Sequence, residues 1–176
     1  VTQTLPPYTF YNLPKLKHIT LGSSLTSLPI YCCYNCNSLD SINIIAPVSS
    51  LGRYCFAECD SLNMIFLPNT LMTINEYAFN NCTQLLVITI PQSVATIGNN
   101  AFNNCDSLKT VNWNARNAGY AGSASNSFGN YDNAKSNHPF KGCNNIRNIN
   151  IGDAVQSLPA YAFVCFSKLK NTTFGN

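Results

Sequence analysis

Apolar residues recur along this chain with a period of about 23 residues, which is too long for one helix or strand and so indicates a repeated structural unit. One aromatic position illustrates the period, because its copies are evenly spaced apart from one longer interval between Phe102 and Phe140. Its members are Phe10, Cys33, Phe56, Phe79, Phe102, Phe140 and Phe163. The longer interval indicates that a single unit carries an insertion. Coincident columns of this kind predict stacked copies of one unit.

Within each unit, a short alternation of apolar and polar residues predicts a strand with one buried face. In one unit this stretch contains Leu85, Ile88 and Ile90, and a turn at Pro91 follows it. Residues 75–79 and their equivalents are predicted to form a short helical turn on the other side of the unit. One unit cannot bury both of its faces alone, so we expect a continuous core built from neighbouring units.

The unit from Ala78 through Cys82, Leu85 and Ile90 to Gly98 resembles the BspA-type leucine-rich repeat, and the likeness covers essentially the whole chain. The resemblance implies an α/β repeat fold, a right-handed, curved leucine-rich-repeat solenoid. Short parallel strands would form its concave sheet, and short helical or irregular segments its convex side. It also implies an extracellular or cell-surface protein of a host-associated bacterium or protozoan. Family members are linked to adhesion, and the family has no catalytic residues to carry over.

The domain organisation follows from the same period. We expect a single solenoid over residues 1–176, with an inserted loop at about 114–137 that is rich in Gly, Ala, Ser and Asn. The loop contains Tyr120, Phe128 and Tyr131, which either pin it against the coils or contact a partner. Neither end shows a polar capping unit, so we expect either a longer array or end coils that pair with another chain.

Nine cysteines are present, and the repeat accounts for most of them. Five share one column whose other members are Leu13 and Phe166, which indicates a core position where cysteine acts as a small apolar residue. The five are Cys36, Cys59, Cys82, Cys105 and Cys143. A disulfide between neighbouring units, such as Cys32 with Cys55, is the alternative. Cys33 and Cys36 form a CxxC, but it has no second pair for zinc and no thioredoxin-like context, so we predict no metal and no cofactor.

Composition narrows the class of function. Charged residues are 10% of the chain and the net charge is +3, without a basic run, which argues against nucleic acid as a partner. No apolar stretch is long enough to span a membrane. The two histidines, His18 and His138, fall in different units, and no catalytic motif accompanies them. We therefore predict a binding module rather than an enzyme, with no catalytic residues.

A contact surface is predicted where strand residues alternate with the apolar columns and so face outward. Most of these residues are small and polar, as His18, Asn43 and Thr89 illustrate. The exceptions are Met64, Phe66 and Val87, which the repeat places side by side. Such a cluster is typical of a surface that contacts a protein or glycan partner. The alternative is that β-propensity alone favours these residues in strands, in a structural spacer with no specific ligand.

Overall fold

A computed structural model describes residues 3–120 and 131–175 and shows a stack of coils with strands on two sides. In chain order the elements are β1 (His18–Leu21), β2 (Ser27–Leu28), β3 (Ser41–Ile44), β4 (Ser50–Leu51), β5 (Thr73–Ile74), β6 (Val87–Ile90), β7 (Thr96–Ile97), β8 (Thr110–Trp113), β9 (Gly119–Tyr120), α1 (Tyr131–Asn137), β10 (Asn148–Ile151) and β11 (Asn171–Phe174).

The four-residue strands form what we call the front sheet, and each pairs in parallel with the strand of a neighbouring coil. The register keeps like residues together, because Ile19 lies opposite Ile42 and Ile88 opposite Val111. Apolar residues in these strands point inward and the intervening residues point outward, as the alternation predicted. The repeated columns are therefore confirmed as a stacked core, while the right-handed sense and the curvature remain predictions.

The two-residue strands form a second sheet, with the unbroken order β2-β4-β5-β7-β9. In its last pair, Gly119 lies opposite Thr96 and Tyr120 opposite Ile97. Residues 119 and 120 thus pair in register with the coil before, while the inserted loop at about 114–137 remains a prediction. The predicted loop also contains the helix α1, whose Ala134 is fully buried.

The short helical turn predicted at residues 75–79 is wrong. The backbone N–H groups of Tyr77, Phe79 and Asn81 donate to carbonyls of the next coil, at 3.2, 2.7 and 2.8 Å. The N–H groups between them bond three residues back, as Ala78 does to Asn75. Alternate donors therefore serve two coils, which a helix could not do. We call this side of the stack the turn face. Within residues 3–120 and 131–175, α1 is the one α-helix.

Stacked phenylalanine rings fill the interior behind the turn face. The ring centroids of Phe56, Phe79, Phe102 and Phe140 follow one another at 5.4, 5.1 and 4.8 Å, and all four rings are fully buried. In the first and last coils the apolar columns are more exposed, as Leu13 and Phe174 show. The described residues place a neighbouring coil on only one side of those two coils.

The cysteine column is confirmed as a core position, and all nine thiols are free in the structure. Each thiol of this column also donates to a backbone carbonyl of the preceding coil, as Cys82 does to Phe56 at 3.1 Å and Cys105 to Phe79 at 3.2 Å. Burial raises the pKa of the Cys82 and Cys105 thiols, which keeps them protonated and able to donate. Cysteine thus supplies a hydrogen bond that leucine could not.

The front sheet is interrupted at the third coil, residues 63–68. Among the described residues no ladder joins this segment to β3, and one isolated bridge, Met64 with Val87, joins it to β6. Pro68 has no N–H, whereas Ile45 at the equivalent position of the coil before donates to Leu21 at 3.0 Å. The interruption separates a two-stranded part of the sheet from a four-stranded part.

Candidate functional site

The predicted apolar cluster lies beside the interruption of the front sheet. Phe66 is 74% exposed, Met64 50% and Val87 37%. Met64 and Val87 form the isolated bridge, so the cluster is contiguous across two coils. Thr89 is exposed and takes the position in its coil that Phe66 takes in the coil before. The structure therefore brings together four of the residues proposed from the sequence, three of them apolar.

His18 and Asn43 lie farther along the same sheet, in β1 and β3, and both are exposed. The His18 Nδ1 atom is 2.5 Å from the Ser41 hydroxyl and 3.0 Å from a carboxylate oxygen of Asp40. These are surface contacts between neighbouring coils. Asn43 pairs in register with Thr20. His18 and Asp40 both lie at the open surface, where they can make polar contacts with a partner.

Side-chain hydrogen bonds run along the other half of the front sheet. The Asn112 amide donates to Thr89 at 3.0 Å, Asn150 donates to Asn112 at 2.7 Å, and the Thr173 hydroxyl donates to Asn150 at 2.8 Å. A parallel row runs from Asn171 through Asn148 toward β8. These side chains satisfy one another from coil to coil, which makes this part of the surface uniformly polar.

The three aromatic residues predicted in the inserted segment have different outcomes. Tyr120 is buried, and its hydroxyl donates to the Ala162 carbonyl at 3.1 Å, so it takes the packing role rather than the contact role. Burial raises its pKa. Phe128 lies outside the described residues. Tyr131 begins α1, and its side chain is outside the described part of the structure. The contact role of the insertion remains a prediction.

His138 is fully buried beside Tyr120. Its Nδ1 atom accepts a hydrogen bond from the Phe140 N–H at 3.1 Å, and its Nε2 atom is 3.1 Å from the Ala162 carbonyl oxygen. These partners fix the neutral ring with the proton on Nε2. Burial lowers the pKa of His138 to about 4. The ring therefore acts as a neutral packing group with two satisfied nitrogens.

A tyrosine array, exposed at Tyr8 and Tyr11 and half-buried elsewhere, covers the turn face of the first coils, and sequence reasoning missed it. Its first column holds Tyr8, Tyr31, Tyr54 and Tyr77, whose stacked rings are 5.1, 4.9 and 4.8 Å apart. Its second column holds Tyr11 and Tyr34, with ring centroids 5.3 Å apart. The recurrence of these tyrosines at the period of the repeat was the signal that could have revealed the array.

The backbone and a basic residue hold the tyrosine array in place. All four tyrosines of its first column have positive φ, between 55° and 63°, a conformation that side chains rarely adopt. The Arg53 guanidinium lies over Tyr54 and Tyr77, at 5.3 and 5.9 Å from the ring centroids, and pairs with Glu76 at 3.3 Å. The rings rest against one another, so edges and hydroxyls rather than faces are presented to solvent.

Metal-binding clusters and membrane-spanning helices are absent from the part of the chain that the structure describes. Within residues 3–120 and 131–175, no three or more His, Cys, Asp or Glu side chains are grouped to hold a metal ion. Over the same ranges, no helix has the length and apolar character needed to cross a membrane.

Comparison with known proteins agrees with the repeat. Residues 3–135 and 127–176 match the family model described as the BspA type leucine rich repeat region, in six copies. No curated protein is similar enough in sequence to match the chain.

Solved structures with the same fold come from several bacteria. A leucine-rich repeat protein of Bacteroides ovatus is 25% identical with a TM-score of 0.67, over 98% of this chain and 43% of that protein. The T. pallidum leucine rich repeat protein is 21% identical with a TM-score of 0.63, over 90% of this chain and 72% of that protein. The pneumococcal vaccine antigen PcpA is 18% identical with a TM-score of 0.58, over 80% of this chain and 31% of that protein. The chain thus spans less than half of two of these proteins.

Proposed function

Because the chain belongs to the BspA-type leucine-rich-repeat family, we propose that it is a secreted or cell-surface module that binds a protein partner through the apolar cluster Met64, Phe66 and Val87. The partner would be a protein of the extracellular matrix or of a host-cell surface. The proposal assigns the front sheet a contact role and assigns the interior none beyond packing. The resemblance to an adhesion family supports the surface location.

The exposure of Phe66 carries this proposal. A phenylalanine side chain that is 74% exposed leaves a large apolar area in water, and covering it would contribute about 25 cal/mol per Å². Met64 and Val87 extend the area beside it. Exposed aromatic residues that a partner covers contribute much of the binding free energy at interfaces. The rest of the front sheet is mainly polar, so the cluster marks one place on it.

A spacer with no specific ligand is the second candidate. The hydrogen-bonded row from Thr173 through Asn150 and Asn112 favours it, because those polar groups already have partners and gain little from a ligand. On that alternative, the chain positions other parts of a longer protein.

A binding experiment distinguishes the two candidates. The purified chain is tested on immobilised matrix proteins and on host epithelial cells, together with Phe66→Ala and Met64→Ala. Tyr161→Ala and Met72→Ala are matched controls, because both residues are exposed outside the front sheet. We expect the Phe66 variant to bind about tenfold more weakly and the controls to bind normally. Unchanged binding by both cluster variants would contradict the proposed surface, and a wild-type chain that binds nothing would favour the spacer.

A further inference from the structure

A groove crosses four successive coils at the edge of the front sheet. It has a volume of about 700 Å³. Leu67 and Pro91 contribute apolar surface, and the polar side chains come from all four coils. The polar residues that matter here are Asn69, Gln92, Ser93, Asn114, Arg116 and Asp153. Coils in such a stack are ~4.8 Å apart, so the groove extends for ~14 Å along the solenoid.

Three backbone N–H groups of the groove already donate to the neighbouring coil. The Asn114 N–H donates to Ile90 at 3.0 Å, Arg116 to Gln92 at 3.3 Å, and Gly152 to Trp113 at 2.9 Å. An extended peptide would need free backbone groups to pair with as an added strand. These three donors are taken, so at Asn114, Arg116 and Gly152 a ligand would meet side chains rather than free N–H groups.

Those side chains carry the groups that bind hydroxyls. Asn69, Gln92 and Asn114 each offer an amide with two donors and an acceptor, and Ser93 already donates to the Leu71 carbonyl at 2.6 Å. Arg116 and Asp153 add a guanidinium and a carboxylate, and the ion pairs found within residues 3–120 and 131–175 do not include them. A groove that combines a guanidinium, a carboxylate and several amides suits a ligand with many hydroxyl groups better than a ligand that carries charge of a single sign.

Glycine makes room for two of these side chains. A Cβ atom on Gly152 would lie 2.4 Å from the Asn114 amide oxygen, so the amide rests where only glycine fits. The Asp153 carboxylate lies in the same way over Gly175. The side chains are therefore placed by the close approach of neighbouring coils, which preorganises them.

An aromatic ring stands beside the groove. Phe66 precedes the groove residue Leu67 and takes the position in its coil that the groove residue Thr89 takes in the next. Its face is free to pack on an apolar face of a ligand. A sugar ring offers such a face together with a rim of hydroxyls.

We propose that this groove binds a linear oligosaccharide along the coils, with Gln92, Asn114, Arg116 and Asp153 bonding its hydroxyls and Phe66 packing on one sugar ring. This site adjoins the proposed protein contact and shares Phe66 with it, but takes a different class of ligand, and it rests on the proposed surface location, where glycans are found. The length of the groove and the polar side chains that every coil contributes to it favour a chain of sugars over a single sugar.

The test uses an array of linear hexasaccharides, both neutral and uronic-acid-containing, followed by titration calorimetry of any that bind. We expect at least one to bind, and Gln92→Ala and Asn114→Ala to weaken it about tenfold each. Gly152→Ala should weaken it as well, because the added Cβ displaces the Asn114 amide. Gln84→Ala is the matched control, since Gln84 is exposed outside the groove. Thermal melts establish that each variant is folded.

The outcomes separate this inference from the proposed protein contact. If no hexasaccharide binds, or if the groove variants bind as the wild type does, the glycan site is wrong. Retained binding to matrix proteins or cells in that case leaves the protein contact standing. If a hexasaccharide binds with the expected sensitivity while no protein or cell is bound, the glycan site stands and the protein contact is wrong.

Discussion

Two aromatic columns run along the same coils, one inside and one outside. The buried column stacks Phe56, Phe79, Phe102 and Phe140, and the outer column, which is only partly exposed, is the first column of the tyrosine array. Their ring separations are almost equal, because the coil spacing sets both. Their contributions should differ, since burial removes one column from water and leaves the other at the surface. Equal geometry therefore does not mean equal free energy, and substitutions in the two columns should expose the difference.

The largest effect is expected for Phe79→Ala. This ring is fully buried between two others at 5.4 and 5.1 Å, so its loss leaves a cavity that the stacked coils cannot close. We expect the free energy of unfolding to fall by about 3–5 kcal/mol. Denaturant unfolding followed by circular dichroism measures it. A decrease in the free energy of unfolding smaller than that caused by Tyr54→Ala in the outer column would contradict the comparison.

The next effect depends on pH and concerns His138. In the repeat this residue takes the position that follows Asn100 in the column of Tyr54 and Tyr77, but its ring is fully buried. The buried ring stays neutral with a pKa of about 4, whereas an unfolded chain takes up a proton below about pH 6.5. The contribution of the neutral His138 ring to the free energy of unfolding is therefore fully present above pH 6.5. It is lost as the pH falls toward 4, which lowers the free energy of unfolding by about 3 kcal/mol.

Unfolding of wild type and His138→Gln at pH 7, 5.5 and 4 measures this loss. Glutamine keeps a donor and an acceptor but does not take up the proton, so the variant should lose less stability across this range. His18→Gln, at an exposed position, should keep the wild-type loss. Parallel curves for wild type and His138→Gln would show that the buried ring is not the cause.

A smaller decrease in the free energy of unfolding is expected for Tyr54→Ala in the outer column. It removes two stacked contacts, at 4.9 and 4.8 Å, and the Arg53 contact at 5.3 Å. Each is a partly solvated interaction, so the loss should total about 1–2 kcal/mol. Tyr54→Phe keeps the stacks and should stay near wild type. A loss as large as that of Phe79→Ala would mean that exposure does not separate the two columns.

The smallest decrease in the free energy of unfolding is expected for a substitution in the later coils, where asparagines occupy the column that holds tyrosines in the first coils. The Asn103 amide donates to Asn80 at 2.8 Å, in the column that holds Tyr11 and Tyr34 farther back. Asn103→Ala removes one half-exposed hydrogen bond, so unfolding should change by about 0.5 kcal/mol or less. Denaturant unfolding again provides the measurement, with a larger loss showing that the amide rows stabilise the stack cooperatively.

The inner column could be predicted from the sequence because only residues of similar size and polarity fit a position that contacts its own copy in the next coil. The same argument gave the apolar cluster, since alternation fixes which strand residues face outward. The tyrosine array could have been found by the same count, but exposed positions tolerate any residue and so their repeats attract less notice. The groove residues follow the period as well, since Asn69, Gln92 and Asp153 occupy one column, but residue type changes from coil to coil there, so the repeat did not single them out.

The period of the repeat, the apolar alternation of the front sheet, the buried columns and the outward direction of Phe66 were thus determined by the sequence alone. Only the tertiary structure decided that the turn face bonds to neighbouring coils instead of forming helices, that the front sheet breaks at Pro68, and that Tyr120 and His138 are buried. The physical reason is that periodicity fixes which side chains must leave water, whereas hydrogen bonds between coils and the places of close approach depend on residues that stacking brings together.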